Sequence, residues 1–165
     1  MPESTLLPTL PPQAVQAVQA ALHAIPMNAT VGVTITDVGV GWATGKCADT
    51  PAFHNHLGTI HAGAQFLLAE ATSGAAFAGA FAAQIAGGVP LIERLDTHYV
   101  GRARGGLSAT AQARAEELPA ALETYARDGK ARLTVDVTVR DGEDKAVMRA
   151  VAHWYLRSMA TIRGN

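Results

Sequence analysis

The chain has a single cysteine, Cys47, so no disulfide can close within it, and a reducing compartment such as the cytoplasm is expected. Charge of either sign is scarce. Charged residues make up 16% of the 165 positions and the formal net charge is −1. That balance argues against a protein that holds nucleic acid by neutralising phosphates. Long runs of large apolar side chains are also missing. The most apolar window, Ala62 to Ala86, is mostly alanine and is interrupted by Gln65, Glu70, Thr72, Ser73 and Gln84, which suits a buried helix and not a membrane span. Met1 to Pro8 carries no basic group and no unbroken apolar stretch, so neither a signal peptide nor a membrane anchor is expected.

Hydrophobic residues are 48% of the chain, enough for one globular domain over residues 1–165. Pro8, Pro11 and Pro12 make residues 1–12 an extended lead-in. Val15, Val18, Leu22 and Ile25 recur at helical spacing over 13–25, and Pro26 ends that helix. Val31, Val33 and Ile35 alternate with threonines as a strand does; Gly39 and Gly41 mark a turn, and Trp42 to Cys47 returns as a second strand. A long helix is expected over roughly 61–86, stopped by Gly87-Gly88-Val89-Pro90. Strands follow at 91–103, 107–115, around 133–139 and over 148–156, with a hairpin turn at Asp141 to Asp144. Residues 119–128 fit a short helix or a loop. Hairpin-linked strands around one small-residue helix predict an α+β fold with an antiparallel sheet wrapped closely about that helix.

Chemically capable groups gather at the start of the long helix. Asn55 offers an amide, His61 an imidazole, and Ala62, Gly63 and Ala64 offer first-turn N–H groups at the positive end of the helix dipole. An oxyanion forming there would gain roughly 3–4 kcal/mol per donor in a transition state. Glu70 lies further along the helix, where desolvation would raise its pKa towards that of a general base near neutral pH. Nine residues of helix separate His61 from Glu70 by about 13 Å, too far to share one reacting carbon. Either the two serve unrelated purposes, or two chains pair so that one supplies the turn and the other the acid. The structural alternative makes Asn55 a loop-turn residue, His61 a helix cap and Glu70 a solvent-facing side chain.

The pattern Asn55-x-x-Gly58-x-x-His61-Ala62-Gly63, with Glu70 nine residues after the histidine, resembles the hotdog-fold acyl-CoA thioesterases of the phenylacetate-degradation type, with the uncharacterised DUF4442 branch included in the resemblance. Thr97 to Ala103 resembles the strand that follows the helix in those enzymes. The resemblance spans most of residues 28–157. It implies a hotdog fold, hydrolysis of an acyl-CoA thioester without metal or redox cofactor, and a homodimer or a tetramer built as a dimer of dimers. It further implies that Asn55 and the Ala62 N–H polarise the thioester carbonyl. His61 would help position the loop and the substrate, with Gly63 beside it in the catalytic turn and Gly58 on the substrate-binding side, and Glu70 of the second chain would activate water or attack the carbonyl. The family's usual residue at position 62 is glycine, and alanine keeps the N–H while adding a methyl. A hydroxyl that some relatives carry later in the helix has no counterpart at Ala86-Gly87-Gly88. A non-catalytic acyl- or CoA-binding module and an enoyl-thioester hydratase are the alternatives on the same fold.

Other motifs carry less. His54, His56 and His61 form His-x-His-x4-His, yet a helix follows and no fourth ligand is near, so no metal site is expected. Gly39-x-Gly41-x3-Gly45 lacks dinucleotide spacing, Lys46-Cys47 does not complete a P-loop, and no Gly-x-Ser-x-Gly elbow occurs. Cys47 is expected as a buried strand thiol. Arg102 and Arg104 are candidates for the phosphates of coenzyme A, with solvated strand-end arginines as the alternative. Phe66, Phe77 and Phe81 are expected in the core, with a dimer groove beside Glu70 as the alternative use of one of them.

Overall fold

The computed structural model describes residues 8–164. Positions 1–7 of the expected lead-in lie outside the described residues. From Pro8 onward the segment is tied to a hairpin, the Pro8 carbonyl accepting from Trp42 Nε1 (2.7 Å) and Val40 N (3.0 Å). Helix α1 (Pro12–His23) then turns Val18, Val15 and Leu22 towards the core. Pro26 does end it, but the chain does not pass directly into a strand. Pro26 opens a second short helix, α2 (Pro26–Val31), because its fixed φ suits a first helical position. Gly32, at φ +80°, closes that helix, so Val31 is helical and strand β1 begins at Val33.

Six strands form one antiparallel sheet in the order β1-β2-β4-β5-β6-β3: β1 (Val33–Gly39), β2 (Trp42–Cys47), β3 (Gly88–Tyr99), β4 (Leu107–Ala113), β5 (Lys130–Arg140) and β6 (Ala146–Ser158). The alternating residues expected on one face are the buried ones. Val33 and Ile35 on β1, Leu107 to Ala113 on β4, Leu133 to Val139 on β5 and Met148 to Leu156 on β6 all point inward. Helix α3 (Ala62–Ala80) lies against this face and touches every strand. The approach is close because both surfaces are small. A Cβ on Gly79 would collide with the carbonyl oxygen of Gly39, and the facing positions of β4 are Ala109, Ala111 and Ala113. The result is a mixed α+β domain. Among the described residues no helix is long and apolar enough to cross a membrane.

Three boundaries differ from the expectation. Helix α3 stops at Ala80, not near 86, where Phe81, fully buried against Phe77 (5.0 Å) and Tyr125 (6.1 Å), anchors the chain as it turns back. Gly88, Val89 and Pro90 do not break the chain but open β3, since this edge strand pairs only with β6 and the missing N–H of a proline is tolerated there. At its other end β3 finishes at Tyr99, after which Val100 and Gly101 both donate to the Val147 carbonyl. Residues Leu118–Asp128 resolve as helix α4, with Gly129 at φ +66° after its end. A last short helix, α5, runs over Met159–Arg163.

Candidate active site

The loop before α3 is built by Asn55. Its side-chain Oδ1 accepts from Leu57 N (2.9 Å), Thr59 N (3.2 Å) and Thr59 Oγ1 (3.2 Å), while Nδ2 donates to Thr59 Oγ1 (3.0 Å). Gly58 supplies the left-handed residue (φ +71°) that the turn needs, and its N–H donates to the Asn55 carbonyl. Asn55 is therefore the loop-turn residue of the structural alternative. The amide still keeps one N–H uncommitted, because Nδ2 carries two and gives only one to Thr59. Struts fix the loop to the rest of the domain: Ile60 N donates to the Ala103 carbonyl (3.1 Å) and His61 N to that of Phe53 (2.9 Å). The buried Gln65 adds a third, donating from Nε2 to the Ile60 carbonyl (3.2 Å).

His61 is the N-cap of α3. Its Nδ1 accepts from Gly63 N (2.8 Å), which leaves Nε2 as the ring nitrogen facing away from the helix start's own bond. Gly63 lacks the Cβ that would stand 3.1 Å from that nitrogen. The expectation of three free N–H groups is thereby corrected. Gly63 N–H is taken by the His61 ring, and Ala64 N–H by the His61 carbonyl (3.0 Å). Among the described residues only the Ala62 N–H of this first turn has no partner. Ala62 is helical, and Asp144 is the only non-glycine with positive φ among those residues, so the alanine costs the loop no backbone strain. Tyr99, which sequence reasoning did not single out, donates its hydroxyl to the Ala62 carbonyl (3.2 Å) and holds the helix start against the end of β3.

Glu70 does not join these groups within one chain. Helix α3 runs unbroken between them, so the axial separation from His61 stays about 13 Å. The Glu70 side chain is half-buried rather than enclosed. It stands at the wall of an apolar cavity of about 650 Å³ between α1, α3 and β3, with no hydrogen-bond or ion-pair partner among the described residues. Burial raises its pKa above the usual carboxylate value. Trp154, from the inner face of β6, lies beside it. The indole packs on Gly74, where a Cβ would come within 3.0 Å, and its N–H donates to Ser73 Oγ (2.9 Å). Alternation along β6 marked Trp154 as core, but nothing in the sequence placed it next to Glu70.

One further feature links the two places. Ala62, Gly63, Phe66, Leu67, Glu70 and Gly74 recur at spacings of three and four and are the part of α3 that the fold leaves partly or fully open. Phe77 and Phe81 are core as expected, whereas Phe66 is 41% exposed on this stripe. Arg102 and Arg104 flank the Ala103 strut. Together with Lys145, Asp141 and Glu143 they line a second pocket of about 260 Å³. Burial pushes the Asp141 carboxyl up, but the N–H groups of Lys145 and Glu143 outweigh it and hold the pKa below the usual value. His54 is bonded to Asp49 and His61 to the helix start, so the three histidines do not converge; among the described residues no group of His, Cys, Asp and Glu is placed to hold a metal. Cys47 is buried in β2.

A family model described as a domain of unknown function, DUF4442, matches residues 14–156. The chain belongs to the DUF4442 family. The matched span runs from α1 through β6, so it takes in the helix-start loop, Glu70 and both arginines. No curated protein matches the sequence. Solved structures do resemble this DUF4442 domain. A Pseudomonas aeruginosa protein of unknown function, described as a probable thioesterase, superposes with a TM-score of 0.75 at 23% identity, over 92% of this chain and 98% of its own. A thioesterase from Haemophilus influenzae gives 0.68 at 13% identity, over 88% and 91%. A thioesterase from Staphylococcus aureus gives 0.66 at 16%, over 79% and 98%. At these identities the likeness shows a shared fold.

Proposed function

We propose that this DUF4442 protein is a hotdog-fold thioesterase that hydrolyses acyl-CoA at a site shared between two protomers. The observation that carries the reading is the open stripe of α3, with an unpartnered N–H at Ala62 and an unpartnered carboxylate at Glu70 on one face. Strand β3 bounds the stripe and leaves its own outer edge unpaired over twelve residues, with Leu91 and Tyr99 exposed. An edge of that length is a template for a second copy. Tyr99 stands at the level of Ala62, and Leu91 lines the same cavity as Glu70. An antiparallel two-fold pairing centred near Leu95 would set Tyr99 opposite Leu91 of the partner subunit. One chain's helix start would then face the other's acid.

In that arrangement the Ala62 N–H and the free N–H of Asn55 donate to the thioester oxygen as it becomes negative. Glu70, its basicity raised by burial, takes a proton from water, and the water oxygen attacks the carbonyl carbon. Collapse of the adduct breaks the C–S bond, and the thiolate receives the proton from Glu70. Carboxylic acid and free coenzyme A are the products, and no cofactor is required. The resemblance of the sequence motif and the fold shared with several thioesterases support the reading. Arg102, Arg104 and the neighbouring Lys145 suit the phosphates of coenzyme A. The test is release of free thiol from short, aromatic and long acyl-CoAs by the wild-type protein and by Glu70→Ala. Thiol release that falls at least about a hundredfold in Glu70→Ala, with oligomeric state unchanged, is expected. Acyl-CoA binding without thiol release would instead make the protein a binding module.

A further inference from the structure

The cavity beside Glu70 is larger than the attack of water requires. It continues from Glu70 past Gly74 to Ala78, one face of α3 at successive spacings of four, which is about 12 Å of helix axis. Ala17 and Ala21, also four apart, face that row from α1. Two facing rows of glycine and alanine leave a slot that runs along both helices. Glu70 is the one ionisable side chain on its wall, and the only other polar side chain there, Trp154, has its N–H already bonded to Ser73. Away from the Glu70 end, a ligand held in the slot would find no charged side chain and no free side-chain hydrogen-bonding group among the described residues. A volume of about 650 Å³ matches small-molecule sites. The α1 wall is fixed in place: Gln19 Nε2 donates to the carbonyls of Ile35 and Thr36 (both 3.2 Å), and His23 Nε2 accepts from Ile35 N (2.9 Å).

We infer that the slot between α1 and α3 holds an unbranched alkyl chain, so that the preferred acyl group is a straight-chain aliphatic one of medium length with its carbonyl at Glu70. About 12 Å of slot suits roughly eight to ten carbons, given C–C bonds of ~1.5 Å set in a zigzag. The inference rests on the hydrolase reading for the word acyl but not for the presence of the alkyl site.

Two measurements keep these apart. Straight-chain methyl ketones of four to twelve carbons are titrated into the wild-type protein and followed by thermal shift. Affinity should rise about fourfold per methylene and level off near ten carbons. In parallel, kcat/KM is measured for acyl-CoAs of the same lengths. Ala21→Leu, at an exposed position on the rim of the slot, should shorten the longest chain accepted by two to three carbons in both series. Ala21→Ser, which keeps the volume, should leave the length optimum in place while weakening every long ligand. Ketone binding that depends on length without any thiol release would uphold the slot and remove the thioesterase. Binding and turnover indifferent to length beyond four carbons, or an unchanged length profile in Ala21→Leu, would overturn the inference.

Discussion

Helix α3 has two faces that differ in how completely their polar groups are matched. On the face against the sheet, Leu68, Ala75, Ala76 and Phe77 are fully buried. Thr72 returns its hydroxyl to the Leu68 carbonyl (2.7 Å), and Ser73 both donates to the Glu70 carbonyl (2.8 Å) and accepts from Trp154, which leaves Gln65 Oε1 as the one buried side-chain polar atom of this helix without a partner among the described residues. On the open stripe, the Ala62 N–H and the Glu70 carboxylate have no partner within the described chain. One helix thus serves stability on one side and holds reactive groups in reserve on the other. A half-buried acid with a raised pKa costs stability, so finding it on the same stripe as a free first-turn N–H is an argument for use.

The contrast can be broken one face at a time. Glu70→Ala should give the largest effect, a loss of about 10²–10⁴-fold in thioester cleavage measured by thiol release, with the folded state kept. Phe77→Ala, on the other face, should cost about 3–5 kcal/mol in denaturant unfolding while turnover per folded molecule changes little. Asn55→Asp sharpens the split inside the loop. It keeps the oxygen that holds Leu57 and Thr59 and leaves Thr59 Oγ1 a carboxylate to donate to, but removes the uncommitted N–H, so cleavage should fall about a hundredfold with a melting temperature close to wild type.

The smallest effect concerns pH. A glutamate whose folded pKa is raised above its unfolded value favours the fold fully below the unfolded pKa and loses that contribution as pH rises through the folded one. Glu70→Gln should therefore be slightly more stable than wild type at neutral pH. The advantage should vanish on acidification below the ordinary glutamate range, read by thermal unfolding across pH.

Much of this was legible before any coordinates. Period-two alternation located β1, β4, β5 and β6, because each has one dry face and one wet one, and the alanines of β4 announced a close helix. Strand β2 was legible as the return after the turn at Gly39 and Gly41, and β3, with no fully buried face, only as a stretch between breakers. The helix start was legible at His61 because capping is a local matter of a few residues. Non-local effects were harder. Pro90 looks like a breaker until β3 is known to be an edge, and Leu118 to Asp128 is polar enough to pass for a loop until Tyr125 is seen packing on Phe81. Val31 fits the strand alternation and still belongs to α2, since Pro26 and Gly32 set local dihedrals that outweigh periodicity. At the site, the motif named Asn55, His61, Ala62, Gly63 and Glu70. It could not show that Gly63 N–H is taken by His61, or that α1 and Trp154 build a cavity beside the acid, because those contacts join residues far apart in the chain.

The central claim is that two chains complete one site, and subunit mixing tests it directly. Glu70→Ala and Asn55→Asp proteins, each nearly inactive, are combined in equal amounts under conditions that exchange subunits. Half of the resulting dimers should then carry one intact site, and activity should return to about one quarter of wild type. Activity that stays at the level of the separate variants after proven exchange would contradict a shared site.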